Sequence, residues 1–97
     1  MKQQACIPML KALADETRWR LVRELLKAPR TVGELTERLN VTQYNVSKHL
    51  RILREAGIVE TLKNGKHVNC SVAEEFRKQI ARRKDGLDLG CCTFRFD

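Results

Sequence analysis

Loop-forming residues are scarce in this chain. Two prolines and five glycines in 97 residues exclude a linker-rich or collagenous design. Long apolar runs are missing as well. The stretch Ala5-Cys6-Ile7-Pro8-Met9-Leu10 stops at Lys11, too soon for a signal peptide's apolar region or a membrane-spanning helix. Without an export signal the expected compartment is the cytoplasm, where the four cysteines are expected as reduced thiols. No internal repeat is found. Acidic residues are in deficit, with 12 Asp and Glu against 19 Lys and Arg, a net charge of +7. A domain that basic calls for an anionic partner, and nucleic acid is the first candidate. What is there is ordinary globular composition, 42% hydrophobic and 32% charged, neither disordered nor membranous. The length suits one domain and is too small for two cores or for most multi-step enzymes.

Periodicity orders the chain into helices first. Cys6, Met9, Leu10 and Leu13 recur at i, i+3, i+4 and i+7, which predicts one helical stripe over residues 3–14. Pro8 must then sit in the first turn or kink that helix. Asp15 is placed to cap a second helix that turns Trp19, Val22, Leu25 and Leu26 inward and ends near Lys27 and Pro29. Thr31-Val32-Gly33-Glu34 reads as a capping box opening a short third helix with Val32, Leu35 and Leu39 inside. Thr42 is placed to cap a fourth, which buries Val46, Leu50 and Leu53 and closes at Gly57. The period then changes to two. Ile58 to Lys63 and Lys66 to Cys70 flank Asn64-Gly65, the pattern of a hairpin with a type I′ turn. Ser71-Val72-Ala73-Glu74 reads as a second capping box, starting a fifth helix to about Lys84 that Gly86 ends. The expected division is a domain over residues 1–85 and a cysteine-containing tail over 86–97.

Third and fourth helices joined by a tight turn and followed by a hairpin predict a mainly α fold with a β-hairpin wing, the winged helix-turn-helix. The outward face of the fourth helix carries Tyr44, Ser47, Lys48 and Arg51, with Thr42, Gln43 and Asn45 at its start. These groups can meet base edges or phosphates, and a helix of this size fits the major groove. Lys63 and Lys66 flank the hairpin tip, where they reach a phosphate backbone as point charges. The plainer alternative is a solvated polar face. Capping, turn, face and wing agree with one another, and that agreement favours DNA.

Leu13-Ala14-Asp15-Glu16-Thr17-Arg18-Trp19-Arg20-Leu21 resembles the opening motif of the ArsR/SmtB family of metal-responsive repressors. Thr42 to Gly57, TQYNVSKHLRILREAG, resembles that family's recognition-helix signature. The resemblance spans about residues 5–84. It implies a homodimer, joined through the first and fifth helices, that represses its own operon and leaves the operator when an inducer binds. One recognition helix per chain reads too few bases alone, so an inverted-repeat operator is expected. The chain departs from the family's sensing patterns. Residues 32–39 contain no cysteine, and residues 73–84 contain no histidine.

The cysteines are therefore the candidate sensors. Cys91 and Cys92 are neighbours, with Cα atoms ~3.8 Å apart, so their thiolates can converge on one soft ion. Soft thiolates with no nearby imidazole favour trivalent arsenic or antimony, arsenite or antimonite, over magnesium, manganese or nickel. A pyramidal arsenic centre takes three sulfurs. Cys6 is the better third, since the first and fifth helices are implied to meet across the dimer. Cys70 shares its strand face with Val68 and Val72 and reads as a small core residue. Packing is the plainer reading of Cys6. Phe94 and Phe96 share alternation with Cys92 and read as anchors of the tail or as simple cover for an apolar patch. His49 and His67 have no partner at metal-ligand spacing. A second reading is a repressor whose thiols sense oxidants or reactive sulfur. A thiol enzyme fits worst, for there is no Cys-x-x-Cys and no paired base. No catalytic cofactor is expected.

Overall fold

The computed structural model describes residues 2–81, 86–88 and 93–95, with side chains for residues 7–79. The described elements are, in chain order, α1 Lys2–Leu13, α2 Glu16–Lys27, β1 Arg30–Thr31, α3 Val32–Leu39, α4 Gln43–Glu55, β2 Val59–Asn64, β3 His67–Val72, α5 Glu74–Ala81, β4 Gly86–Asp88 and β5 Thr93–Arg95. The caps explain most boundaries. The Asp15 carboxylate accepts from the Arg18 N–H at the start of α2. Thr31 and Glu34 form a reciprocal capping box at α3, with bonds of 2.8 and 3.1 Å. Thr42 accepts from the Asn45 N–H and opens α4. Each satisfies a donor that a helix start would otherwise leave orphaned. Between α3 and α4 the chain reverses at Asn40, whose φ of 54° is left-handed, a conformation Asn tolerates better than most residues. Pro8 lies inside α1 rather than in its first turn, so that helix forgoes one internal hydrogen bond.

One core joins these elements. Leu21, Val22 and Leu25 of α2 meet Leu35 and Leu39 of α3, Val46, Leu50 and Leu53 of α4, and Ile58, Val59, Cys70, Val72 and Phe76. Each large side chain so buried contributes ~1.5–3 kcal/mol relative to exposure. Phe76, at 1% exposure, pins α5 to this core. Trp19, expected inward, is only half-buried.

The sheet is antiparallel in the order β1-β3-β2. β1 pairs Arg30 with Cys70 and Thr31 with Asn69, and β2 pairs with β3 from Val59↔Val72 to Asn64↔His67. This register corrects the expected turn. The two loop residues are Gly65 and Lys66, and Gly65 supplies the positive φ, 64°. A loop at Asn64-Gly65 would set Lys63 directly opposite Lys66, and like charges facing across a ladder are destabilising. The observed register places Lys63 opposite Val68 instead. The second capping box is corrected too. Ser71 pairs with Glu60 inside the ladder, and the first helical bond of α5 runs from the Arg77 N–H to the Ala73 carbonyl. Gly86, expected as a helix stop, opens β4, which pairs with β5 from Gly86↔Arg95 to Asp88↔Thr93.

Candidate nucleic-acid interface

α4 has two unlike faces. Val46, Leu50 and Leu53 are buried against the core, while Gln43, Tyr44, Asn45, Ser47, Lys48 and Arg51 are all exposed. Tyr44 is 77% exposed, a large amphipathic side chain standing in solvent. At 13 residues the helix is roughly 20 Å long and suits a major groove about 12 Å wide. No acidic residue occupies its first turn, so the positive end of the helix dipole is not cancelled there. The Thr42 hydroxyl, a candidate DNA contact from sequence, is already engaged as the cap, accepting from Asn45 at 3.2 Å. Arg51 reaches Glu55 at 3.4 Å, with both side chains mostly exposed. Such a pair is held weakly in water, so its guanidinium is available for exchange onto a base or phosphate.

The wing stands beside this helix because Ile58, Val59, Cys70 and Val72 share the buried core with Leu53, and Arg54, in the last turn of α4, adds a bond to the Thr61 hydroxyl of β2 at 3.2 Å. Lys63 on β2 and Lys66 in the loop are exposed. Arg54 was not among the residues singled out by sequence, and neither was Leu62, which is 71% exposed on the wing. The alternation of the strand is the signal that would have placed Leu62 outward.

α4 is also tied to the rest of the fold through His49. Arg18 Nη1 lies 3.2 Å from His49 Nδ1, and the Asp15 carboxylate lies 4.0 Å from the same nitrogen. The N–H of Arg18 bonded to Asp15, more than any nearby charge, holds that carboxyl below its ordinary range. His67 is exposed on β3.

Cys70 is fully buried, and burial pushes its thiol up to about 11. A thiol so placed is neither a nucleophile nor a ready ligand. Cys6 lies on α1, its side chain outside those described, and Cys91 and Cys92 fall outside the described residues altogether. Among the described residues no group of three His, Cys, Asp or Glu side chains could hold a metal ion. No helix among them is long and apolar enough to cross a membrane.

A family model described as bacterial regulatory protein, arsR family, matches residues 15–61, from the cap of α2 to the third residue of β2. A probable mercury resistance operon repressor of Streptomyces lividans is 38% identical over 89 residues, covering 86% of this chain and 71% of that protein. A biofilm growth-associated repressor of Agrobacterium fabrum is 39% identical over 67 residues, 69% of this chain and 57% of the relative. The chain thus spans little more than half the length of that relative. Among solved structures, HlyU from Vibrio cholerae superposes with a TM-score of 0.74 at 33% identity, covering 82% of this chain and 88% of that one. Reduced HlyU gives a TM-score of 0.71 at 31% identity, with the same coverage. A homodimeric winged helix-turn-helix DNA-binding domain from Mycobacterium bovis shares the fold, with a TM-score of 0.71 at 23% identity over 75% of this chain and 68% of that one.

Proposed function

The chain belongs to the arsR family of bacterial regulatory proteins, and from that premise we propose that it is a homodimeric winged-helix repressor relieved by a thiophilic inducer. The exposed polar face of α4 carries this reading. Its residues Gln43, Tyr44, Asn45, Ser47, Lys48 and Arg51 stand free of the core on a helix whose start is capped by Thr42 and whose end is tied to a basic wing. Gln43 and Arg51 read base edges, while Lys63 and Lys66 neutralise phosphates. Residues 1–85 bind DNA and dimerise, and 86–97 serve sensing. α1 leaves Ile7 57% exposed, apolar surface that a second copy would cover. With one recognition helix per chain, the operator is an inverted repeat whose half-sites lie ~10–11 bp apart. Protection of a lone half-site by a monomer in footprinting would exclude this arrangement.

The inducer is trivalent arsenic or antimony, bound by thiolates of Cys91, Cys92 and Cys6. Burial removes Cys70 from the set, and three sulfurs remain for a pyramidal ion. The likeness to a probable mercury resistance repressor supports a soft, thiophilic metal in this branch of the family. The likeness to HlyU, a protein with a solved reduced form, favours the second reading, in which the same thiols respond to oxidants or reactive sulfur. Operator release titrated in parallel with arsenite, antimonite, mercuric ion, zinc and peroxide separates the two. Arsenite release abolished in the double variant Cys91→Ser, Cys92→Ser, with operator binding intact, is the expected outcome. Wild-type release by that double variant excludes the thiolate site, and release by peroxide alone selects the second reading.

A further inference from the structure

The Arg18 side chain is the most heavily engaged cation among the described residues, and the interface described above does not use it. Its Nε donates to the Ala12 carbonyl at 2.6 Å and its Nη2 to the Lys11 carbonyl at 3.4 Å. These carbonyls belong to the last turn of α1, where the helix dipole is negative, and the Lys11 carbonyl also takes the Ala14 N–H at 3.3 Å. The remaining edge of the guanidinium points the other way, with Nη1 3.2 Å from Nδ1 of His49 on α4. Arg18 itself sits on α2, and its own N–H is held by the Asp15 cap. One planar group therefore joins three helices, and its donors are fixed in a rigid fork. A lysine at this position has one small ammonium and cannot span both α1 and His49.

We infer that Arg18 is a positioning residue for the recognition helix, setting the seat of α4 from the C-terminus of α1. The contact has a chemical direction. A guanidinium has no acceptor, so the Arg18–His49 hydrogen bond requires Nδ1 to accept and leaves the ring hydrogen on Nε2, while the Asp15 carboxylate, 4.0 Å from the same Nδ1, is too far to take a hydrogen from it. A displacement of α1 changes the Arg18 donors first and reaches α4 through His49, two positions from Arg51. The route starts on the helix that carries Cys6 and ends on the face assigned above to DNA, so the effect on operator binding rests on that assignment. The ring state of His49 does not.

The test uses the full chain with Arg18→Lys, His49→Phe and His49→Gln, and their double variants. Imidazole nitrogen chemical shifts in mildly alkaline buffer should show His49 as the Nε2–H form in the wild type and as a mixture of tautomers in Arg18→Lys. Operator affinity should fall roughly tenfold in Arg18→Lys and in His49→Phe, with the salt slope unchanged, since no phosphate contact is removed. The double variant of these two should be no weaker than either alone. His49→Gln, whose amide oxygen can still accept from Arg18, should bind within about twofold of wild type. Thermal unfolding of each variant separates a shift in seating from a loss of fold. An unchanged His49 signature in Arg18→Lys, or fully additive losses in the double variant, would overturn the inference. A wild-type chain that showed the expected tautomer but bound no operator would instead refute the proposed function.

Discussion

α2 and α4 are almost the same length and both are strongly basic, yet they spend their charges differently. On α2 three of the four cations, all but the exposed Arg23, bond to the protein itself. Arg18 holds α1 and His49, Arg20 donates to the Leu39 carbonyl at 2.9 Å, and Lys27 pairs with Glu24, which also takes Arg38 from α3 at 3.1 Å. The Arg38 bond is the main reason the Glu24 carboxyl lies below its ordinary range. On α4 the outward face makes one ion pair among the described residues, Arg51 with Glu55. A count of positive residues cannot separate the two helices. Whether the backbone carbonyls and carboxylates of neighbouring elements come within reach does separate them. The helix whose cations mostly reach neighbouring elements is scaffold, and the one that keeps Lys48 and Arg51 on an outward face is free to meet phosphate.

The contrast breaks most visibly in stability. Leu25→Ala, on the buried side of α2 at 0% exposure, should cost ~2–5 kcal/mol in denaturant unfolding. Tyr44→Ala on the outward side of α4 should stay within ~0.5 kcal/mol while weakening operator binding. Equal losses of stability in the two variants would erase the distinction. Next in size is base reading. Arg51→Ala and Gln43→Ala should each relax sequence preference by ~1–3 kcal/mol, measured against operators altered at single base pairs. Arg23→Ala on the exposed side of α2 should leave that preference alone.

The smaller effects sharpen the comparison. Lys63→Ala and Lys66→Ala should each lower the slope of log affinity against log salt by ~1 and leave sequence preference unchanged. Acid should act through the α2 cap. The Asp15 carboxyl is lowered in the folded chain, so its stabilisation is complete above its ordinary value of 3.8 and is lost as pH falls through the lower folded value. Asp15→Asn keeps a capping acceptor and should flatten this part of the acid limb in unfolding experiments followed against pH. A limb unchanged by that substitution would assign the acid sensitivity elsewhere.

What sequence could reveal follows from how local each interaction is. The caps at Asp15, Thr31 and Thr42 need partners only three residues away, and all three appear as expected. The outward face of α4 was equally legible, because helical periodicity alone sorts its residues. The wing was legible as a hairpin but not in register, since two lysines at the tip shift the loop to Gly65-Lys66. Ser71 offered a capping signal that the β2–β3 ladder outcompeted, pairing it with Glu60. β1 was invisible, because its two residues become a strand only by docking on β3. The Arg18–His49 contact joins residues 31 positions apart, and no local pattern announces it. DNA-contact roles remain chemistry inferred from an exposed face, and the thiols of Cys6, Cys91 and Cys92 lie beyond the described side chains.

The burial of Cys70 also gives the molecule an internal clock. With its thiol near 11, only about one molecule in ten thousand carries the thiolate there at neutral pH, and the side chain has no access to reagent while the sheet is closed. Alkylation of this cysteine must wait for β3 to part from β1 and β2 or for the core beneath it to open. Its labelling rate therefore counts openings of the scaffold that carries the wing. Operator binding that grips the wing should slow that rate, while a ligand taken up by other thiols without moving the sheet should leave it untouched.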